Sequence, residues 1–217
     1  INYYPLLDFK KFKIEFSIYR DSFTLGLNYF ITSVTRNIDI ILINYFHGNE
    51  LTAIYLIAHK LSFVVQGLGQ WFGHALLPEL AIHDEHEGYK IAIKSYRYII
   101  PLGLTVILCS FILSGRIINL FFPDTYEDSI IIFNILIIGV VIIVFTVPCA
   151  YWLLANKNEG KILIANTYAI GVNLTSNLFF IPKYGNIGAA SSTVLSELLL
   201  LFILIKFSRS IINEKYN

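Results

Sequence analysis

The residues able to do chemistry in this sequence are charged side chains set inside long apolar runs. Arg36 and Asp39 lie in one run, His59 and Lys60 in the next, and the two runs meet at the polar corner His47-Gly48-Asn49-Glu50. Counted along a helix, Arg36 and Asp39 fall about 12–17 Å from that corner and Lys60 about 15 Å beyond it. Glu197 lies a similar distance into another apolar run, and Asn173 and Asn177 occupy the outer half of the run before it. If these runs cross a membrane, all of these groups share one depth near its middle. Charge at that depth is expensive, and such residues face a bundle interior or a wet cavity. Arg36, Asp39, Lys60 and Glu197, with His59 and Asn173 beside them, form a belt whose formal charges cancel. Such a belt can be assembled in low dielectric. It can also open to admit an anion, to which Arg offers a planar fork and Lys a point charge.

Blander readings compete with this one. Arg36 and Asp39 are three residues apart on one helix face and can neutralise each other. Glu197 can pair with Lys60, while His59 and His74 read as packed or interfacial. Gln66, Gln70 and Trp71 continue the polarity along their run and would line a lower cavity. The run His83-Asp84-Glu85-His86-Glu87 reads as a solvated loop, because His86-Glu87-Gly88-Tyr89-Lys90 ends in Lys where a zinc-protease motif needs His. There is no glycine-rich phosphate loop and no nucleophile with a base. The expectation is therefore no enzyme, no metal and no cofactor.

The elements that must position the belt follow from composition. The 217 residues are 56% hydrophobic and only 14% charged, with a mean hydropathy of +0.65. A soluble domain is closer to about a quarter charged and cannot hide so much apolar surface. The chain is expected to be a polytopic membrane protein, all-α, with six spans at 22–46, 51–78, 98–122, 129–155, 162–181 and 187–205. The segment 1–21 precedes this six-helix lobe (22–207), and a tail (208–217) follows it. A net charge of +1 argues against a nucleic-acid partner. Lys10, Lys11, Lys13, Arg20, Lys90, Lys94, Arg97, Lys157, Lys161, Lys206, Arg209 and Lys215 all fall in connections on one side, which places both ends in the cytoplasm. The chain opens at Ile1, contains no Met and lacks a signal peptide, so it is expected to begin inside a longer protein. Cys109 and Cys149 lie at different depths, and no disulfide is expected.

Packing signals accompany the spans. Gly188, Ser192 and Ser196 form a small-residue stripe, and Gly69 and Gly73 a G-x-x-x-G, both of which let a neighbouring backbone approach. Pro101 and Pro148 sit inside spans, where Pro is common.

Two stretches carry a family resemblance. The first is Arg36-Asn37-Ile38-Asp39 with His47-Gly48-Asn49-Glu50, Ile54-Tyr55 and His59-Lys60-Leu61. The second is Ile181-Pro182-Lys183-Tyr184-Gly185-Asn186-Ile187-Gly188-Ala189-Ala190 with Ser196-Glu197. Together they resemble the Wzx-type O-antigen and polysaccharide flippases of the multidrug/oligosaccharidyl-lipid/polysaccharide exporter superfamily, specifically the C-terminal half of such a protein. The resemblance implies one lobe of a two-lobe, roughly twelve-span transporter. It would move an undecaprenyl-pyrophosphate-linked oligosaccharide across the bacterial inner membrane by alternating access. On that reading Arg36 and Lys60 contact pyrophosphate or acidic sugar, and Asp39 and Glu197 balance charge or accept a coupling proton. The partners implied are the lipid-linked substrate, membrane lipids and an N-terminal lobe. The rivals are a cation-coupled drug or toxin exporter of the same superfamily and a structural membrane subunit.

Overall fold

The computed structural model describes residues 16–216. It is almost entirely helical: α1 (Phe16–Ile82), α2 (Glu85–Phe121), a short 3-10 turn (Asp124–Tyr126), α3 (Ser129–Ala155) and α4 (Glu159–Tyr216). All four helices are long and apolar enough to cross a membrane.

Two of the four are not straight rods. α1 leaves helical geometry at Gly48 (φ 79°, ψ −171°), and α4 does so at Gly185 (φ 54°, ψ −131°). A positive φ strains any residue with a Cβ, so glycine is what permits both turns. The chain reverses at each. Tyr55 and Asp39 are 16 residues apart yet hydrogen-bonded at 3.0 Å, whereas a straight helix would separate them by about 24 Å. Asn173 and Ser196, 23 residues apart, meet at 3.5 Å in α4. The polar corner expected at 47–50 is thus a tight turn at which one helical limb ends and the next begins, and 182–186 behaves alike.

Both glycine turns sit at one end of the bundle, called here the upper end. The His47 Nε2 lies 2.7 Å from the Ile181 carbonyl, and Asn186 Nδ2 donates to the Leu51 carbonyl at 2.8 Å. The turn before α3 is there too, with Ser129 Oγ donating to the Ile54 carbonyl at 2.8 Å. At the lower end Trp152 Nε1 donates to the Glu85 carbonyl at 3.0 Å, and Lys215 pairs with the Glu85 carboxylate.

α3 is the central post. Its apolar stretch is the most buried of the four, and it contributes to both core clusters. The upper cluster gathers Ile43, Tyr55, Ile118, Ile137 and Ile181, and the lower one Leu80, Ala92, Trp152, Leu153 and Leu204. Close approach uses the expected small residues. A Cβ on Gly69 would come within 2.5 Å of Val144, and one on Gly73 within 2.5 Å of Tyr151. At Gly188 it would lie 2.4 Å from the Phe180 carbonyl oxygen, where the limbs of α4 part.

Hydropathy and helix length diverge at the lower end. α2 starts at Glu85, well before the apolar run at 98–122, and carries Lys90, Lys94 and Arg97 on helix rather than in a connection. The expected loop at 83–87 is instead a capped helix start. Asp84 Oδ1 accepts the Glu87 amide at 2.8 Å, and Glu87 pairs with Lys90 at 2.8 Å. Lipid is needed only for apolar residues, whereas a capped helix continues into water. α4 likewise runs through most of the expected tail, to Tyr216. Pro101 and Pro148 lie inside α2 and α3. Cys109 is exposed, Cys149 is buried, and both are free thiols.

Candidate functional site

Asp39 stands at the centre of the polar layer, only 3% exposed and about 13 Å below Gly48. Three donors reach its carboxylate, each from a different helical limb. Tyr55, on the descending limb of α1, gives its hydroxyl to Oδ2 at 3.0 Å. Thr193, on the second limb of α4, gives its hydroxyl to the same oxygen at 2.7 Å. Asn177, on the first limb of α4, gives its amide to Oδ1 at 2.6 Å. The amide of Asn177 also reaches Asn173 Oδ1 at 3.1 Å, and Asn173 Nδ2 points to Ser196 Oγ at 3.5 Å. Asp39 therefore ties both limbs of α1 to both limbs of α4.

Among the described residues no cation forms an ion pair with Asp39. Burying a carboxylate without a counter-charge is expensive, and hydrogen bonds to the charged form offset part of that cost. The oxygen of the Asn177 amide is also buried without a partner. Asp39, Asn173, Asn177 and Thr193 thus supply carboxylate, amide and hydroxyl oxygens in one place. That chemistry suits a proton or a small hard cation, not a transition metal held by His or Cys. Among the described residues no cluster of His, Cys, Asp and Glu has metal-ligand character.

Asp39 borders a cleft of about 140 Å³ whose polar wall is Thr32, His59, Gln66, Asn166, Thr193 and Glu197. A second cleft of about 200 Å³ adjoins it, lined by Tyr29, Ser33, Asn37, Lys60 and Phe63, with Thr32 and His59 on the border of both. The His59 ring stacks on Tyr55 at 5.9 Å between centroids. The two clefts thus adjoin at Thr32 and His59, the first setting the acids Asp39 and Glu197 among largely apolar walls and the second carrying the cation Lys60.

The expected belt is assembled as follows. Asp39, His59 and Glu197 share one cleft, and Lys60 is exposed in the neighbouring one. Asn173 is fully buried behind Asp39 and reaches it through Asn177. Arg36 belongs to α1 one turn from Asp39, but its side chain lies outside the described residues. Lys60 makes no ion pair among the described residues, so the rival Lys60–Glu197 pair is not formed. His74 packs edge-on against Tyr151. Of the polar run below the belt only Gln66 reaches the cleft. Gln70 is exposed and Trp71 is 70% exposed, and neither lines that cleft. Sequence reasoning did not assign Tyr55 and Thr193 to the site. Their signals were spacing alone, Thr193 standing one helical turn before Glu197 and Tyr55 one turn before His59.

With this geometry in view, two solved structures are similar. The first is described as "Outward-facing conformation of a multidrug resistance MATE family transporter of the MOP superfamily". It has a TM-score of 0.73 and 19% identity over 87% of this chain and 43% of that one. The second is described as "Crystal structure of MATE in the bent conformation", with a TM-score of 0.70 and 21% identity over 87% of this chain and 44% of that one. The chain thus has the fold of rather less than half of these multi-pass membrane proteins. No family model and no curated protein sequence matches it.

Proposed function

We propose that this chain forms one six-crossing lobe of an alternating-access transporter of the multidrug/oligosaccharidyl-lipid/polysaccharide exporter superfamily. The six crossings are the two limbs of α1, α2, α3 and the two limbs of α4. A companion N-terminal lobe closes the cavity from the other side. The membrane is the bacterial inner membrane, with the lower end and both chain ends in the cytoplasm. The observation that carries the reading is the Asp39 node, a buried carboxylate on the first limb of α1 held from the other three limbs of α1 and α4 and bordering a cleft that adjoins the one at Lys60.

The two clefts have separate tasks. Asp39, with Glu197 and His59 beside it, exchanges a proton or small cation. Charging or neutralising the node changes how strongly the α1 and α4 hairpins hold together, which is what couples an ion to a movement of helices. Lys60 and Arg36 receive the anionic group of the substrate. The two sequence motifs favour an undecaprenyl-pyrophosphate-linked oligosaccharide as that substrate, since pyrophosphate suits an Arg fork and a Lys point charge. A cation-coupled drug or toxin exporter is the second reading, favoured by the description of the first similar structure as a multidrug resistance transporter.

Complementation of surface polysaccharide by the full-length protein carrying Arg36→Ala or Lys60→Ala tests the reading. Loss of polymer at normal protein levels is the expected result. Normal polymer from both variants would remove these residues from substrate binding. Dye efflux that falls while polysaccharide is unchanged would favour the drug exporter.

A further inference from the structure

The lower end of α4 carries two cations that the transport reading does not use. Lys206 and Arg209 are exposed, one turn apart, and border a shallow, open cleft formed on one face of α4. Neither forms an ion pair among the described residues. Directly above them, one turn toward the upper end, the same cleft is walled by Phe202, which is 65% exposed, and Ile205. Below them it is walled by Ser210 and Asn213. Each cation thus sits four residues from an apolar side chain on the same helical face, since i and i+4 are stacked neighbours. The one acid in the cleft, Glu214, accepts the Ser210 hydroxyl at 2.6 Å on the outermost turn, below both cations.

Read downward, this surface is apolar, then cationic, then polar with the single carboxylate of Glu214 at its foot. A phospholipid standing against α4 presents the complementary order of acyl chain, phosphate and glycerol or sugar hydroxyls. We propose that this cleft is a binding site for an anionic phospholipid. Phe202 and Ile205 pack against an acyl chain, Lys206 and Arg209 hold the phosphate, and Asn213 bonds the head-group hydroxyls. Basic pockets at the ends of membrane helices recognise lipid head groups in this way. The site lies on α4 alone, apart from the Asp39 cleft, and does not depend on which substrate is carried.

The test is native mass spectrometry of the full-length protein in mild detergent, titrated with phosphatidylglycerol or phosphatidylcholine. The wild type is expected to retain phosphatidylglycerol preferentially and to release it as salt is raised. The double substitution Lys206→Gln/Arg209→Gln should weaken retention about thirtyfold. The charge-keeping pair Lys206→Arg/Arg209→Lys should preserve it, as should Lys90→Gln on α2. Equal retention of the two lipids by the wild type, or unchanged binding in the Gln pair, overturns the proposal. An equal loss in Lys90→Gln does the same by making the effect one of diffuse charge. Displacement by millimolar inorganic phosphate as effective as that by lipid would also overturn it, leaving a simple anion site.

Discussion

Asp39 is the residue on which this lobe turns, because its two oxygens are contacted from three other limbs. Asp39→Asn keeps the shape and removes the charge. The buried, unpartnered oxygen of Asn177 can turn to accept the new amide at the expense of its bond to Asn173, so the fold is expected to survive at a cost of about 1–3 kcal/mol. Transport should nevertheless be lost. Thermal stability measured beside flux checks this, and a variant that transports normally would remove Asp39 from coupling. Tyr55→Phe removes one of two donors to Oδ2 and leaves Thr193 in place. It should cost about 1–2 kcal/mol in a denaturation experiment, with transport weakened rather than abolished. The importance of Asp39 was legible because a carboxylate deep in an apolar run announces itself. Its partners were not, since Tyr55, Asn177 and Thr193 are ordinary polar residues whose convergence exists only after two hairpins have packed.

At the scale of elements, two glycines make hairpins and a third lets one of them close. Gly48 has a φ of 79° with extended ψ, a region essentially reserved for glycine. Gly48→Ala should destabilise the protein by about 1–3 kcal/mol although nothing lies within 4 Å of the new methyl group. Gly188→Ala acts differently, since its Cβ would run into the Phe180 backbone, which cannot move aside like a side chain. Its cost should be at least as large, about 1–3 kcal/mol, and should appear as loosening of the upper turn of α4 in hydrogen exchange. The elements differ in how plainly the sequence shows them. α3 was bounded correctly at both ends because Asp128 and Lys157 flank an uncharged run. The start of α2 was missed because Lys90, Lys94 and Arg97 end the hydropathy signal without ending the helix. The polar corner at 47–50 separates two helical runs in the sequence, and the backbone at Gly48 supplies the positive φ that lets the turn between them be so short.

For the whole molecule, the two adjoining clefts draw no lining residue from α2, which is the least buried of the spans. This asymmetry suits a lobe with one face toward a partner or cavity and the other toward lipid. Lys60→Glu, which reverses the only cation lining the second cleft among the described residues, should abolish transport of an anionic substrate while changing stability little, because Lys60 is exposed. Competition by a pyrophosphate-bearing lipid analogue, measured on wild type and variant, checks it. Retained competition in the variant would move anion recognition elsewhere.

The Asp39 node also bears on how the protein is made. Asn177 follows Asp39 by 138 residues and Thr193 follows it by 154. While the ribosome is still producing α2 and α3, the carboxylate has Tyr55 alone of its three described donors at hand. A chain stalled or truncated before α4 therefore lacks two of the three described donors to that carboxylate, so the node closes only when the last hairpin packs.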